Sequence, residues 1–258
     1  MTPISKPPRR SREVSLERAL SKLGIASRSE TRQWILAGRL AVDGIVRDDP
    51  QHPVVPEEVR LTLDGRPLTG EPSRTIMVHK PRGLVTTRSD ERKRPTVYDT
   101  LPEAWRHLKA VGRLDMASSG LLLFTGDNRL ADWITDPENA VPRVYRVTVR
   151  GRVTDDELAR LAGGVEDAGE CLRPHQVTLR KASGRESHLI VILTEGKNRE
   201  VRRLFAAVGH EVTALKRVGL GGLVLGDLPP GQCREVTQEE LRVAFPGAPV
   251  SSGHRRKD

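Results

Sequence analysis

Asp115 sits in the segment Gly112-Arg113-Leu114-Asp115-Met116-Ala117-Ser118-Ser119-Gly120, two residues after a cation and just before a turn of small, hydroxyl-bearing residues. The apolar run Leu121-Leu122-Leu123-Phe124 follows at once and reads as a buried strand. A lone carboxylate on a tight loop at the edge of a sheet is well placed to act as a nucleophile. The competing reading is a local Arg113–Asp115 pair that stiffens a turn, where Asp is common for its bonds to nearby backbone.

Two further segments carry chemical groups. In Pro142-Arg143-Val144-Tyr145-Arg146-Val147-Thr148-Val149, residues Tyr145, Val147 and Val149 alternate onto one strand face. In Glu195-Gly196-Lys197-Asn198-Arg199-Glu200-Val201-Arg202-Arg203-Leu204-Phe205, a helical reading gathers Val201, Leu204, Phe205 and Val208 into an apolar stripe. Arg202 borders that stripe and is the arginine best placed to reach an interior carboxylate. Arg199 and Arg203 point away from it, toward a phosphate backbone or water. His79, His175, His188 and His210 are scattered and read as structural or surface residues.

The elements that must hold these groups fall into two units. The first is expected over 15–64. Ser15 caps a helix with Leu16, Leu20 and Leu23 on one face, and Gly24 stops it. Ser27-Arg28-Ser29-Glu30 is a capping box that opens a second helix reaching Gly38. A hairpin turning at Asp43-Gly44 follows, then a strand over Val59–Leu63. Arg18, Lys22, Arg28, Arg32 and Arg39 give this small unit a basic patch suited to nucleic acid. A Gly/Pro/Ser-rich linker is expected over 65–73.

The larger unit, 74–245, is strand-rich. Expected strands are Ile76–His79, Leu84–Thr87, Leu121–Thr125, Tyr145–Val149, Gln176–Arg180 and His188–Thr194. Helical patterns cover Asp127–Thr135, Asp155–Leu161 and Asn198–Val208. Short turns without strict alternation imply an α+β fold with a mixed, mainly antiparallel sheet. The ends, 1–14 and 246–258, read as disordered tails.

The chain has 258 residues and a formal net charge of +9, which points to a nucleic-acid partner. Cys171 and Cys233 lack metal-ligand spacing and read as reduced thiols of a cytoplasmic protein. No apolar run approaches the roughly 18 residues that span a bilayer, and the basic N-terminus lacks the apolar stretch of a secretory signal. There is no phosphate-binding glycine motif and no metal-ligand cluster.

Residues Leu16 to Asp49 resemble an S4 domain, an RNA-binding module, chiefly in Ala19-Leu20-Ser21-Lys22-Leu23-Gly24-Ile25-Ala26-Ser27-Arg28 and Ala37-Gly38-Arg39-Leu40-Ala41-Val42-Asp43-Gly44. The larger unit resembles the RsuA branch of the pseudouridine synthases, bacterial enzymes that isomerise uridine in ribosomal RNA. The resemblance rests on Lys80-Pro81-Arg82-Gly83, on Gly112-Arg113-Leu114-Asp115 with Ser119-Gly120-Leu121-Leu122-Leu123, on Tyr145, and on the block Glu195 to Arg203. Ser118-Ser119-Gly120 stands where the branch often has Thr-Ser-Gly, and some members carry Gln at the position of Glu200.

The resemblance implies that Asp115 is the nucleophile, acting at the ribose anomeric carbon or by helping a glycal form. It implies that Arg202 keeps Asp115 ionised in a water-excluding pocket. Tyr145 would lie against the extruded base, either as a stacking platform alone or also accepting, directly or through water, the proton from carbon 5, with Leu193 supporting the ring. Arg113 would help extrude the nucleotide or occupy the gap it leaves, and Lys80 would contact substrate. No cofactor or metal is implied. The expected partner is ribosomal RNA, with the block Asn198 to Arg203 favouring the large subunit, and the expected state is a monomer. Two other readings stand beside this one. One is a non-catalytic S4-type RNA-binding protein of the ribosome. The other is a hydrolase that uses Asp115 and a water, against which no second acid or base is placed to activate that water.

Overall fold

The computed structural model of the chain describes residues 13–23, 25–56, 58–68 and 74–250. The described chain falls into two compact units, one made largely of residues before Arg74 and one of those after it.

The first unit contains β1 (Val14–Ser15), α1 (Leu16–Lys22), α2 (Arg28–Leu36), β2 (Leu40–Val42), β3 (Ile45–Val46), β4 (Pro53–Val54), β5 (Leu61–Leu63) and β6 (Arg66–Pro67). Leu16, Ala19 and Leu20 of α1 and Ile35 of α2 pack with Leu40, Val42, Val54 and Leu61 into one small core. The capping box forms: the Ser27 hydroxyl accepts from the Glu30 amide at 3.2 Å. Asp43 and Gly44 turn the β2–β3 hairpin with φ of 51° and 84°, the left-handed backbone such a turn requires. Ser15 stands at the N-cap of α1, yet its side chain makes no capping bond, because the chain enters the helix from the β1–β4 pairing. Val14 therefore belongs to the fold and not to a tail. Likewise, Asp64-Gly65 turns a hairpin into β6, so the expected linker begins inside the unit. Gly24, most of the expected linker and most of the N-terminal tail lie outside the described residues.

The second unit is built on a nine-stranded sheet. Its strands are β7 (Thr75–Lys80), β8 (Lys109–Val111), β9 (Ser119–Thr125), β10 (Arg143–Arg150), β13 (Gln176–Ala182), β14 (Glu186–Leu193), β15 (Val212–Leu220), β16 (Leu223–Val224) and β17 (Cys233–Glu235). The main path runs β13-β14-β10-β15-β9-β7-β17. Every pairing is antiparallel except β15 on β9, so the sheet is mixed and mainly antiparallel. A two-stranded hairpin of β11 (Val165–Asp167) and β12 (Glu170–Leu172) stands apart from it.

One sheet face buries Tyr145, Val147, Val149, Leu189, Val191 and Leu193 against α5 (Glu200–Ala207), with α4 (Asp155–Gly163) contributing Leu161. The other face packs Leu121, Leu123 and Leu220 against α3 (Asn128–Thr135) and α6 (Gln238–Ala244).

Three expectations change. Leu84–Thr87 is not a strand: Val85 makes an isolated bridge to Thr96, and the segment's polar groups bond across a loop instead. The last helix pattern starts at Glu200 and not at Asn198, because Arg199 takes a left-handed backbone that an α-helix excludes. Ala248 and Val250 pack against the second core, so the expected C-terminal tail does not begin at 246. The strand β15 escaped sequence reading because Lys216 and Arg217 break its apolar pattern.

Candidate active site

The Asp115 loop is held from several sides. The Lys80 ammonium, fully buried, donates to the backbone carbonyls of Pro81 at 3.0 Å, Asp115 at 3.1 Å and Ser118 at 2.8 Å. Burial pulls the Lys80 ammonium down to about 8, and the Asp115 carboxylate opposes that fall. The Thr86 hydroxyl donates to the Leu114 carbonyl at 2.9 Å, and the Gly83 amide donates to the Met116 carbonyl at 2.7 Å. Lys80 thus fastens the loop from beneath. Its expected contact with substrate is corrected: the ammonium faces backbone oxygens, which consume its three donors.

Gly120 closes the loop. Its φ is 113°, and a Cβ there would lie 2.1 Å from the Arg217 carbonyl oxygen. Only glycine lets β9 meet β15 this closely. Arg217 Nε in turn donates to the Leu121 carbonyl at 2.7 Å.

A cavity of about 210 Å³ opens beside this loop. Its lining includes Arg113, Asp115, Tyr145, Leu193, Arg199 and Glu200. Tyr145 and Leu193 are 9% and 3% exposed and lie on the same sheet face. They form an apolar wall of the cavity. A second cavity, lined by Val85, Thr86, Asp90, Arg92, Arg94 and Met116, shares Arg113 and Asp115 with the first. Asp115 itself is exposed, at the boundary of the two cavities. The expectation of a carboxylate shut away from water is therefore corrected.

Arg202 is half-buried on α5. Its Nη1 donates to the Val212 carbonyl at 2.9 Å, while Nη2 is buried without a partner. Burial pulls its guanidinium down and the Asp115 carboxylate pushes it back up. The two charges therefore feel one another, although they form no ion pair among the described residues.

Other expected residues are placed differently. Arg199 lines the first cavity rather than facing away from it, because it precedes the helix. Arg203 is corrected as an RNA contact: it is ion-paired to Asp167, donates to Glu170 at 2.7 Å, and ties α5 to the β11–β12 hairpin. In the first unit Arg18, Arg28 and Arg32 are at least partly exposed, while Arg39 pairs with Asp64. Lys22 lies in α1, and its side chain is outside the described residues.

Sequence reading passed over Ser118, Arg143, Glu195, Glu200 and Arg217, all of which line the first cavity. For Arg143 a signal existed, since strand alternation puts it on the face of Tyr145. Burial and the neighbouring Glu195 push the Glu200 carboxyl up to about 7, while the Lys197 amide, donating to it at 3.2 Å, opposes that rise. Among the described residues no three His, Cys, Asp or Glu side chains gather as metal ligands, and no helix is long and apolar enough to cross a membrane.

The RNA pseudouridylate synthase family matches residues 74–207, and the S4 domain family matches 15–59. An uncharacterized RNA pseudouridine synthase of Aquifex aeolicus is 34% identical over 90% of this chain and 94% of its own length. The ribosomal large subunit pseudouridine synthase B of Yersinia pestis is 39% identical over 84% of this chain and 69% of its own length. A crystal structure of a pseudouridylate synthase superposes with a TM-score of 0.64 at 26% identity, covering 90% of this chain and 99% of that one. The chain belongs to the RNA pseudouridylate synthase family, with an S4 domain preceding its catalytic unit.

Proposed function

We propose that this protein converts a specific uridine of large-subunit ribosomal RNA to pseudouridine, with Asp115 as the nucleophile. The observation that carries this reading is the placement of Asp115. It sits on an immobilised loop, at the mouth of a cavity walled by Tyr145 and Leu193. The apolar wall accepts an extruded base, and base extrusion costs a few kcal/mol that stacking on an aromatic ring helps to offset.

Arg202 offers a positive charge toward the Asp115 loop, and Lys80 positions that loop from below. Arg113, shared by both cavities, guides the nucleotide into place. Because Asp115 is open to solvent, the RNA itself must exclude water by filling the two cavities. Arg18, Lys22, Arg28 and Arg32 of the S4 unit, with Arg199, bind the RNA backbone. The name of the Yersinia relative supports the large subunit as the target. The proposed enzyme is a monomer that works in the cytoplasm.

Pseudouridine mapping of ribosomal RNA from cells with and without the gene tests this reading. One large-subunit pseudouridine should vanish with the gene. It should return with the wild-type copy and stay absent with Asp115→Asn. Restoration by Asp115→Asn would replace the enzyme with a non-catalytic RNA-binding protein.

A further inference from the structure

The first cavity contains two buried arginines that the scheme above does not use. Arg143 and Arg217 are 8% and 3% exposed, and both line it. Among the described residues neither meets a carboxylate in an ion pair. Arg143 is fixed by donating to the carbonyls of Val141 at 2.9 Å, Thr194 at 3.2 Å and Ile134 at 3.2 Å. Arg217 is fixed through Leu121, and its Nη2 is buried with no partner. In the sheet register Arg217 lies directly opposite Tyr145, and Arg143 lies two residues before Tyr145 on the same strand face. The two cations thus flank the ring expected to carry the base.

A buried charge without a counter-ion is costly, and such a group in a native site calls for an explanation. The nearby acids offset these charges only in part. Glu195 pairs with Lys197 at 2.9 Å, and burial beside Glu195 disfavours the charged form of Glu200. The inner wall of the cavity is left electropositive, in a setting where water screens poorly.

We propose that Arg143 and Arg217 stabilise the negative charge that uracil carries while it is detached from the ribose. When the C1′–N1 bond breaks, its electron pair stays on the base, which becomes an anion delocalised over N1 and the carbonyl oxygens. The sugar carbon is satisfied by a bond to the Asp115 carboxylate or by loss of the 2′ proton. As the base rejoins C1′ through C5, the Asp115–C1′ bond breaks or the 2′ proton returns to the sugar, C5 releases its proton and N1 gains one, so the isomerisation needs no co-reactant. Fixed guanidiniums suit this task because they need no reorganisation as the charge develops. The inference rests on the uridine-isomerising reading.

The test compares a target stem-loop RNA carrying uridine with one carrying 5-fluorouridine at the modified position. Fluorine withdraws electrons and makes the base a more stable anion, which needs less help. Consumption of the target nucleoside is followed under single-turnover conditions. Arg217→Gln and Arg143→Gln should each slow uridine by about 100-fold, the scale of losing one oxyanion donor, and 5-fluorouridine by about tenfold or less. Equal losses for both bases in a variant that keeps the wild-type circular dichroism overturn the proposal. The wild-type enzyme gives a second test that needs no variant. With both cations in place its two rates should differ by less than about tenfold, and a steeper dependence overturns the proposal. Wild-type protein that leaves uridine unchanged in every ribosomal RNA refutes the underlying function instead.

Discussion

Replacing Glu200 with glutamine removes a carboxyl group that the fold holds at 3% exposure against Glu195. In the folded protein that group releases its proton near 7, against an ordinary value of 4.5. Between these two pH values the unfolded chain has released a proton that the folded chain keeps. Native binding therefore exceeds unfolded binding, and stability falls as pH rises through the window. At about 1.4 kcal/mol per tenfold step, the gap corresponds to about 3 kcal/mol, present as added stability near pH 4 and lost above about pH 8.

The groups facing Glu200 are Glu195, Lys197 and Arg143. All three remain in the variant. The substituted amide has no proton to lose. Relative to wild type, Glu200→Gln should thus gain about 3 kcal/mol between about pH 4.5 and about pH 8.5. Any change in the bond from the Lys197 amide adds an offset that does not vary with pH. Urea denaturation of both proteins at half-unit pH intervals measures the difference. A difference that stays constant across the range would show that Glu200 ionises normally, and the description of this cavity wall would be wrong.

Gly120→Ala should cost at least about 3 kcal/mol and abolish turnover, since its Cβ would strike the Arg217 backbone; thermal unfolding checks this, and an unchanged midpoint would show that β9 and β15 separate easily. Arg203→Ala should lower stability slightly while leaving the salt dependence of RNA binding unchanged. Arg32→Ala should reduce that salt slope by about one without touching stability, so a slope change in the Arg203 variant would return Arg203 to the RNA surface. Arg202→Ala should cut turnover by more than about 100-fold with RNA affinity preserved, read by single-turnover kinetics beside filter binding. Turnover near wild type would separate Arg202 from Asp115.

Local physics made much of this protein legible in advance. The Ser27–Glu30 capping box and the Asp43-Gly44 turn need only neighbouring residues, so sequence alone determines them. The same holds for the alternation that puts Tyr145 inward and for the glycine-flanked loop that carries Asp115. Short turns without strict strand–helix alternation likewise point to the mainly antiparallel sheet.

Tertiary structure decided the rest, because it depends on which distant groups the register brings together. Lys80 becomes a backbone fastener because β7 pairs with β9 and places its ammonium under a loop 35 residues away. Arg217 enters the cavity because β15 meets β9 in the only parallel pairing of the described sheet, against a glycine that alone permits the approach. Arg199 turns toward the site because its backbone is left-handed, a state no helical wheel represents. Arg203 turns away because Asp167 and Glu170, on a hairpin far off in sequence, neutralise it. Sequence periodicity names the face a side chain takes, whereas its partner, its burial and its charge are properties of the packed chain.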